Sequence, residues 1–134
     1  METPRSASPL PLEGMRILVV EDDPILAIDM EATLVRAGAE VIGPVSHLPK
    51  AFEFATHQTL SVALLDVRLG DQSVEPAAQL LAARGIPIVF YTGQPLPFPL
   101  QKDWPRSTTL YKPATTEAII DALARSAATA SPLT

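Results

Sequence analysis

The sequence predicts an α/β domain built on a doubly wound, five-stranded parallel sheet with helices on both faces. Three observations lead there. Short apolar runs rich in Val, Ile and Leu recur along the chain and are apolar at consecutive positions, as strands buried on both faces require. Longer stretches with apolar residues at roughly helical spacing lie between them. The two kinds alternate five times, which sets parallel strands side by side with helical crossovers.

The first strand is MRILVV, residues 15–20, and it stops at Glu21-Asp22-Asp23. Pro24 suits the first turn of a helix, where the missing amide proton costs nothing. Ile25, Ile28, Leu34 and Val35 form the stripe expected to face the sheet, and Gly38 stands where a helix C′ residue belongs. A short strand around residues 40–43 and a helix over 48–56 follow. SVALLDV is a second doubly buried strand, ending at Asp66. Residues 74–84 read as an Ala/Leu-rich helix closed by Gly85. Residues 87–91 and 108–111 read as strands. Residues 115–128 form the closing helix, with Ile119, Ile120 and Leu123 inward.

One segment breaks the rhythm. A helix belongs between Gly93 and Ser107, yet Pro95, Pro97, Pro99 and Pro105 fall there. Proline inside a helix costs about 3 kcal/mol, so the fourth helix is expected to be short or replaced by a Pro-rich loop. At most one helical turn is expected, near residues 100–103, with Trp104 as a lid over the core or an anchor for a partner. Residues 1–13, with Pro4, Pro9 and Pro11 among Ser and Thr, read as a flexible tail. The domain is expected over residues 14–128, and residues 129–134 as a C-terminal tail.

Composition excludes several classes. The chain of 134 residues carries 10 basic and 15 acidic side chains, a net charge of −5, which argues against direct nucleic-acid binding. It has no cysteine, so disulfides, thiolate metal sites and thiol catalysis are out. No apolar run approaches the roughly 20 residues of a membrane span. The first residues lack the apolar core of a secretory signal, and a cytoplasmic location is expected.

Ligands of open parallel α/β sheets bind at the carboxyl ends of the strands, so the polar residues there carry the information. Strand one ends at Glu21 and Asp22, strand three at Asp66, strand four at Thr92 and strand five at Lys112. Three clustered carboxylates repel unless a cation neutralises them, and Mg²⁺ takes one or two carboxylates together with phosphate and water. A central carboxylate can act as nucleophile toward phosphorus. Lys112 would neutralise a phosphoryl oxygen and the Thr92 hydroxyl donate to another. Asp23 by itself reads as a helix N-cap. His47 and His57 lack metal-ligand spacing and read as surface residues. Asp71 and Glu75 read as a loop acid and an exposed helix residue.

With these residues in this order, the sequence resembles a response-regulator receiver domain, the phosphoacceptor module of two-component signalling. The resemblance runs from about Met15 to Ser126 and rests on ILVVEDDP, LLDVRLGD, VFYTG and LYKP. It implies a flavodoxin-like fold, with Asp66 as phosphoacceptor. It further implies Mg²⁺ on Asp22, Asp66 and the backbone carbonyl of Arg68, with Glu21 acting through water. Thr92 would be the switch hydroxyl, Lys112 the phosphate-binding lysine, and the Lys112–Pro113 bond cis. Within receivers, LLDVRLGD…ARGIPIVFYTGQ is similar to the alphaproteobacterial stand-alone group named for its PFATGUY motif, with Tyr91 in place of that motif's Ala and Gln94 where a hydrophobic residue would stand.

Two departures stand out. The aromatic that most receivers carry three residues before the lysine is Thr109 here, with Tyr111 adjacent to Lys112 instead. Tyr91 is bulky beside the acceptor and is expected to restrict phosphodonor access, so Tyr91 and Tyr111 are the candidate access or switch aromatics.

The resemblance implies a sensor histidine kinase or histidine phosphotransfer protein as partner. Output would run through protein contact or phosphorelay, and a homodimer is a further candidate assembly. The chain is then a phosphoacceptor and not a turnover enzyme. The alternative is a degenerate receiver that binds a partner without being phosphorylated. A phosphatase-like hydrolase would need an acid two residues after the nucleophile, where Arg68 stands.

Overall fold

A computed structural model describes residues 9–95 and 107–129. Five strands form a parallel sheet: β1 (Arg16–Val20), β2 (Glu40–Val45), β3 (Val62–Leu65), β6 (Ile88–Thr92) and β7 (Thr108–Tyr111). Their order is β2-β1-β3-β6-β7. Two two-residue strands, β4 (Arg68–Leu69) and β5 (Gln72–Ser73), make a separate antiparallel hairpin. The described helices are α1 (Pro24–Arg36), α2 (Leu48–His57), α3 (Glu75–Ala83) and α4 (Thr116–Thr129).

Strand periodicity divides the core in two. Leu18, Val20, Ala63, Leu65, Ile88 and Phe90 point to one face, where Ala51 and Ala55 of α2 and Ala77, Ala78 and Leu81 of α3 cover them. Ile17, Val19, Val62, Leu64, Val89 and Tyr91 point to the other, under Met30 and Leu34 of α1 and Ile119 and Leu123 of α4. Both faces are apolar, which is why the strands read as continuous runs in the sequence. The chain reverses direction across the sheet between β1 and β3, so a crevice opens at their carboxyl ends.

Two expectations need correction. The N-terminal tail does not extend to residue 13: Leu12 is fully buried among Leu34, Ala37 and Leu123, and its N–H donates to the Ala37 carbonyl at 2.8 Å. A fully buried leucine is worth about 1.5–3 kcal/mol, enough to hold a short proline-flanked turn against the domain. Helix α1 turns only part of the expected stripe inward. Leu34 is buried as expected, joined by Ala27 and Met30, while Ile25, Ile28 and Val35 are 76, 69 and 52% exposed. The Asp23 cap, accepting from the N–H groups of Ile25 (2.9 Å) and Leu26 (3.2 Å), fixes where the helix begins. Of the Pro-rich segment expected over residues 93–107, Gly93–Pro95 and Ser107 are irregular, and residues 96–106, with Trp104, lie outside the described residues. Of the C-terminal tail expected over residues 129–134, Thr129 is the last residue of α4, and residues 130–134 lie outside the described residues.

Candidate functional site

The site forms where the strands of the crevice end, and backbone hydrogen bonds set each residue in place. The Glu21 N–H donates to the Val45 carbonyl (2.9 Å), that of Asp66 to Val20 (2.9 Å) and that of Lys112 to Thr92 (2.8 Å). Each functional residue is thereby the first one beyond, or the last one of, a strand whose register the sheet holds.

Glu21, Asp22 and Asp66 each bring one carboxylate oxygen within 4.8 Å of the others. Glu21, Asp66 and Thr92 are buried, and Asp22 is exposed at the rim. The Lys112 ammonium spans the acids, 2.9 Å from Glu21 Oε1 and 3.0 Å from Asp66 Oδ2. Burial raises the Glu21 carboxyl above its ordinary value of 4.5; the hydrogen bonds from Lys112 and the Asp23 N–H offset part of that, and the charge of Asp66 adds to it. Burial works against the Lys112 ammonium, but hydrogen bonds to Glu21 and Asp66 and their charges outweigh it, so Lys112 stays protonated beyond the usual lysine value of 10.5. The Thr92 hydroxyl accepts from the Gln94 N–H at 3.2 Å. Among the described residues, an open cleft of about 300 Å³ is lined by Asp22, Asp66, Arg68, Gly70, Thr92 and Lys112 together with Gly93 and Gln94.

The structure thus brings together Glu21, Asp22, Asp66, Thr92 and Lys112, with Arg68 on the cleft wall. Tyr111 stands beside them at the end of β7, 54% exposed. The Lys112–Pro113 bond is cis, and so is Gly43–Pro44. His47 and His57 are exposed at the two ends of α2 and are not part of the acid cluster.

Tyr91 is only 6% exposed and turns away from the open cleft, lining instead a small cavity together with Glu21 and Asp66. Strand alternation is the reason: Phe90 and Thr92 share one face, and Tyr91 points to the other.

Sequence reasoning missed the role of Gly70. Its N–H donates to Asp22 Oδ2 at 2.8 Å, latching the β4–β5 hairpin to the rim acid. Gly70 has φ +64, so the available signal was a turn glycine in LGD four residues after Asp66.

The three acids are hard oxygen donors, a set suited to Mg²⁺ or a similar cation. The donors fit the metal that the resemblance implies.

A parallel sheet in this order, with three acids at the β1–β3 crevice and a lysine reaching them from β7, is the plan of a response-regulator receiver domain, and the chain has that fold. No protein-family profile matches it. It is 31% identical over 111 residues to Phyllosphere-induced regulator PhyR of Methylorubrum extorquens, an alignment covering 78% of this chain and 41% of that protein. The chain spans less than half the length of that curated relative. Among solved structures it resembles a response regulator receiver protein from Sinorhizobium medicae, with TM-score 0.75 and 27% identity over 89% of this chain and 98% of that one. It also resembles the receiver domain of a sensor histidine kinase from Pseudomonas aeruginosa, with TM-score 0.72 and 26% identity over 86% and 98% of the two chains. That domain has a magnesium ion coordinated in its active-site cleft. Among the described residues no helix is long and apolar enough to cross a membrane.

Proposed function

We propose that this chain accepts a phosphoryl group on Asp66 from a histidine kinase or a histidine phosphotransfer protein. The observation that carries this reading is the Lys112 ammonium hydrogen-bonded to Asp66 at 3.0 Å, beside two further acids at the mouth of an open cleft. A carboxylate in that setting has a charge partner for an incoming phosphoryl oxygen and a donor set for a divalent cation.

In the proposed transfer an Asp66 oxygen attacks phosphorus. The O–P bond forms as the P–N bond of the phosphohistidine breaks, and the imidazole leaves. Asp22 and Asp66 would ligate Mg²⁺ directly, with the Arg68 carbonyl, and Glu21 through water. The bound ion would neutralise charge on the phosphoryl oxygens. Lys112 exchanges part of its contact with Glu21 and Asp66 for a phosphoryl oxygen, and the Thr92 hydroxyl donates to another. The phosphoryl group adds about −1.5 to −2 charge at the strand ends, and the pull on Thr92 and Lys112 is the means by which occupancy reaches the surface. The chain acts in the cytoplasm as a signalling module, its output a protein contact or onward phosphotransfer, and not as a turnover enzyme.

The test is labelling with acetyl phosphate and with a kinase, comparing wild type with Asp66→Ala, with Mg²⁺ and with EDTA. An acid-labile label that needs both Asp66 and Mg²⁺ is the expected result. Absence of label from every donor overturns the proposal in favour of a phosphorylation-independent binding module.

A further inference from the structure

Tyr91 occupies the second-last position of β6, and the pleat turns it under the site. Its ring centroid lies 5.5 Å from Lys112 Nζ, within the distance at which an ammonium is attracted to an aromatic face. At its far end the phenol oxygen accepts from the Ala114 N–H at 3.4 Å. One buried side chain on a sheet strand therefore touches both ends of the Lys112–Pro113–Ala114 turn, the connection into α4.

The arrangement has a mechanical meaning. Glu21 and Asp66 hold the ammonium from one side, but lysine is a point charge on a flexible four-carbon stem and follows either acid. A ring fixed in the sheet limits where that stem can go. The hydroxyl contact extends the restraint to the turn, so a displacement of Lys112 is felt at Ala114. We propose that Tyr91 is a positioning residue: it holds the Lys112 ammonium at the carboxylates and couples that lysine to the turn that opens α4. Its consequence for phosphorylation rests on the function proposed above; its consequence for the lysine and the turn does not.

Two substitutions separate the parts of this role. Tyr91→Phe keeps the ring and removes the hydroxyl, and Tyr91→Leu removes both. In the unphosphorylated, metal-free chain, the Lys112 Cε proton shifts report the ring by NMR, and hydrogen exchange reports the Ala114 amide. Wild type and Tyr91→Phe should share a ring-shifted Lys112 signal that Tyr91→Leu loses. Ala114 should exchange faster in both variants. Labelling by acetyl phosphate should slow about two- to fivefold in Tyr91→Leu and return close to wild type in Tyr91→Phe. An unmoved Lys112 signal in Tyr91→Leu, or labelling at the wild-type rate, reduces Tyr91 to core filling and overturns the proposal. If Tyr91→Leu does not fold, Tyr91→Phe decides: unchanged Ala114 exchange overturns the coupling, and faster exchange with a retained ring shift supports it. A wild type that takes no label defeats the phosphoacceptor reading while leaving both NMR results to judge Tyr91.

Discussion

Lys112 Nζ donates to Asp66 Oδ2 across 3.0 Å, although 46 residues separate the two in the chain. The same ammonium serves Glu21, and both acids are buried, so its removal leaves two carboxylates facing each other with little water. Lys112→Met should cost the metal-free chain about 1–3 kcal/mol, less than a fully buried pair because the lysine keeps some exposure. Urea unfolding measures it. Addition of Mg²⁺ should recover more stability in the variant than in wild type, and equal recovery would contradict the shared-charge account.

Divalent cation binding should stabilise the fold, by about 2.7 kcal/mol at a hundredfold excess over Kd. Asp22→Asn should abolish most of that response. The basal cost should stay small, since Asp22 is exposed and its recorded hydrogen bond is the one from the Gly70 N–H. Thermal unfolding with EDTA and with Mg²⁺ tests the first point, and faster exchange of the Gly70 amide in the variant tests the second.

Glu21 makes stability depend on pH in a defined direction. Burial lifts its carboxyl above the ordinary 4.5, and the contacts from Lys112 and Asp23 offset only part of the rise. Between 4.5 and the raised value the folded chain binds more protons than the unfolded chain, so this group lowers stability as pH climbs through that window. Below the window the penalty is absent; above it the penalty is complete. Urea midpoints of wild type and Glu21→Gln, measured in EDTA from pH 4 to pH 8, should diverge in favour of the variant as pH rises from about 4.5. A constant difference across the range would count against it.

The two faces of α1 should respond differently to substitution. Ile28→Ser changes a residue 69% exposed and should move stability by less than about 0.5 kcal/mol. Leu34→Ala opens a cavity at a fully buried position and should cost about 2–5 kcal/mol. Chemical denaturation of the Ile28 variant distinguishes this helix orientation from one with Ile25, Ile28 and Val35 inward, and the Leu34 variant gives the cost of a buried position on the same helix.

That helix shows where the sequence becomes ambiguous. PILAIDMEATLVR is apolar around much of its circumference, so Ile25, Ile28 and Val35 read as inward about as well as Ala27 and Met30 do, and Leu34 is the one member of the expected stripe that the fold buries. The strands offered no such choice, because RILVV and VALL are apolar on both faces and permit one reading. The site was legible for a related reason: Glu21 and Asp66 each follow an apolar run directly, and a charge at such a strand end stands out. Leu12 was not legible, since a single leucine between Pro11 and Glu13 carries no period; only the Ala37 carbonyl and the pocket beside Leu34 give it a place. The β4–β5 hairpin escaped because two-residue strands fall below any pattern.

The outer strand β2 has a consequence for how these domains behave when crowded. Gly43 sits at φ +104, where an added Cβ would meet Val45 N at 2.8 Å, and Pro44 follows it with no amide proton to offer. The pairing with β1 slips at the same place, between Leu18 and Val20. A foreign strand laid along this rim would find a missing donor and a bend midway, and could not zip past them in register. This rim is thus notched against the in-register addition of a further strand.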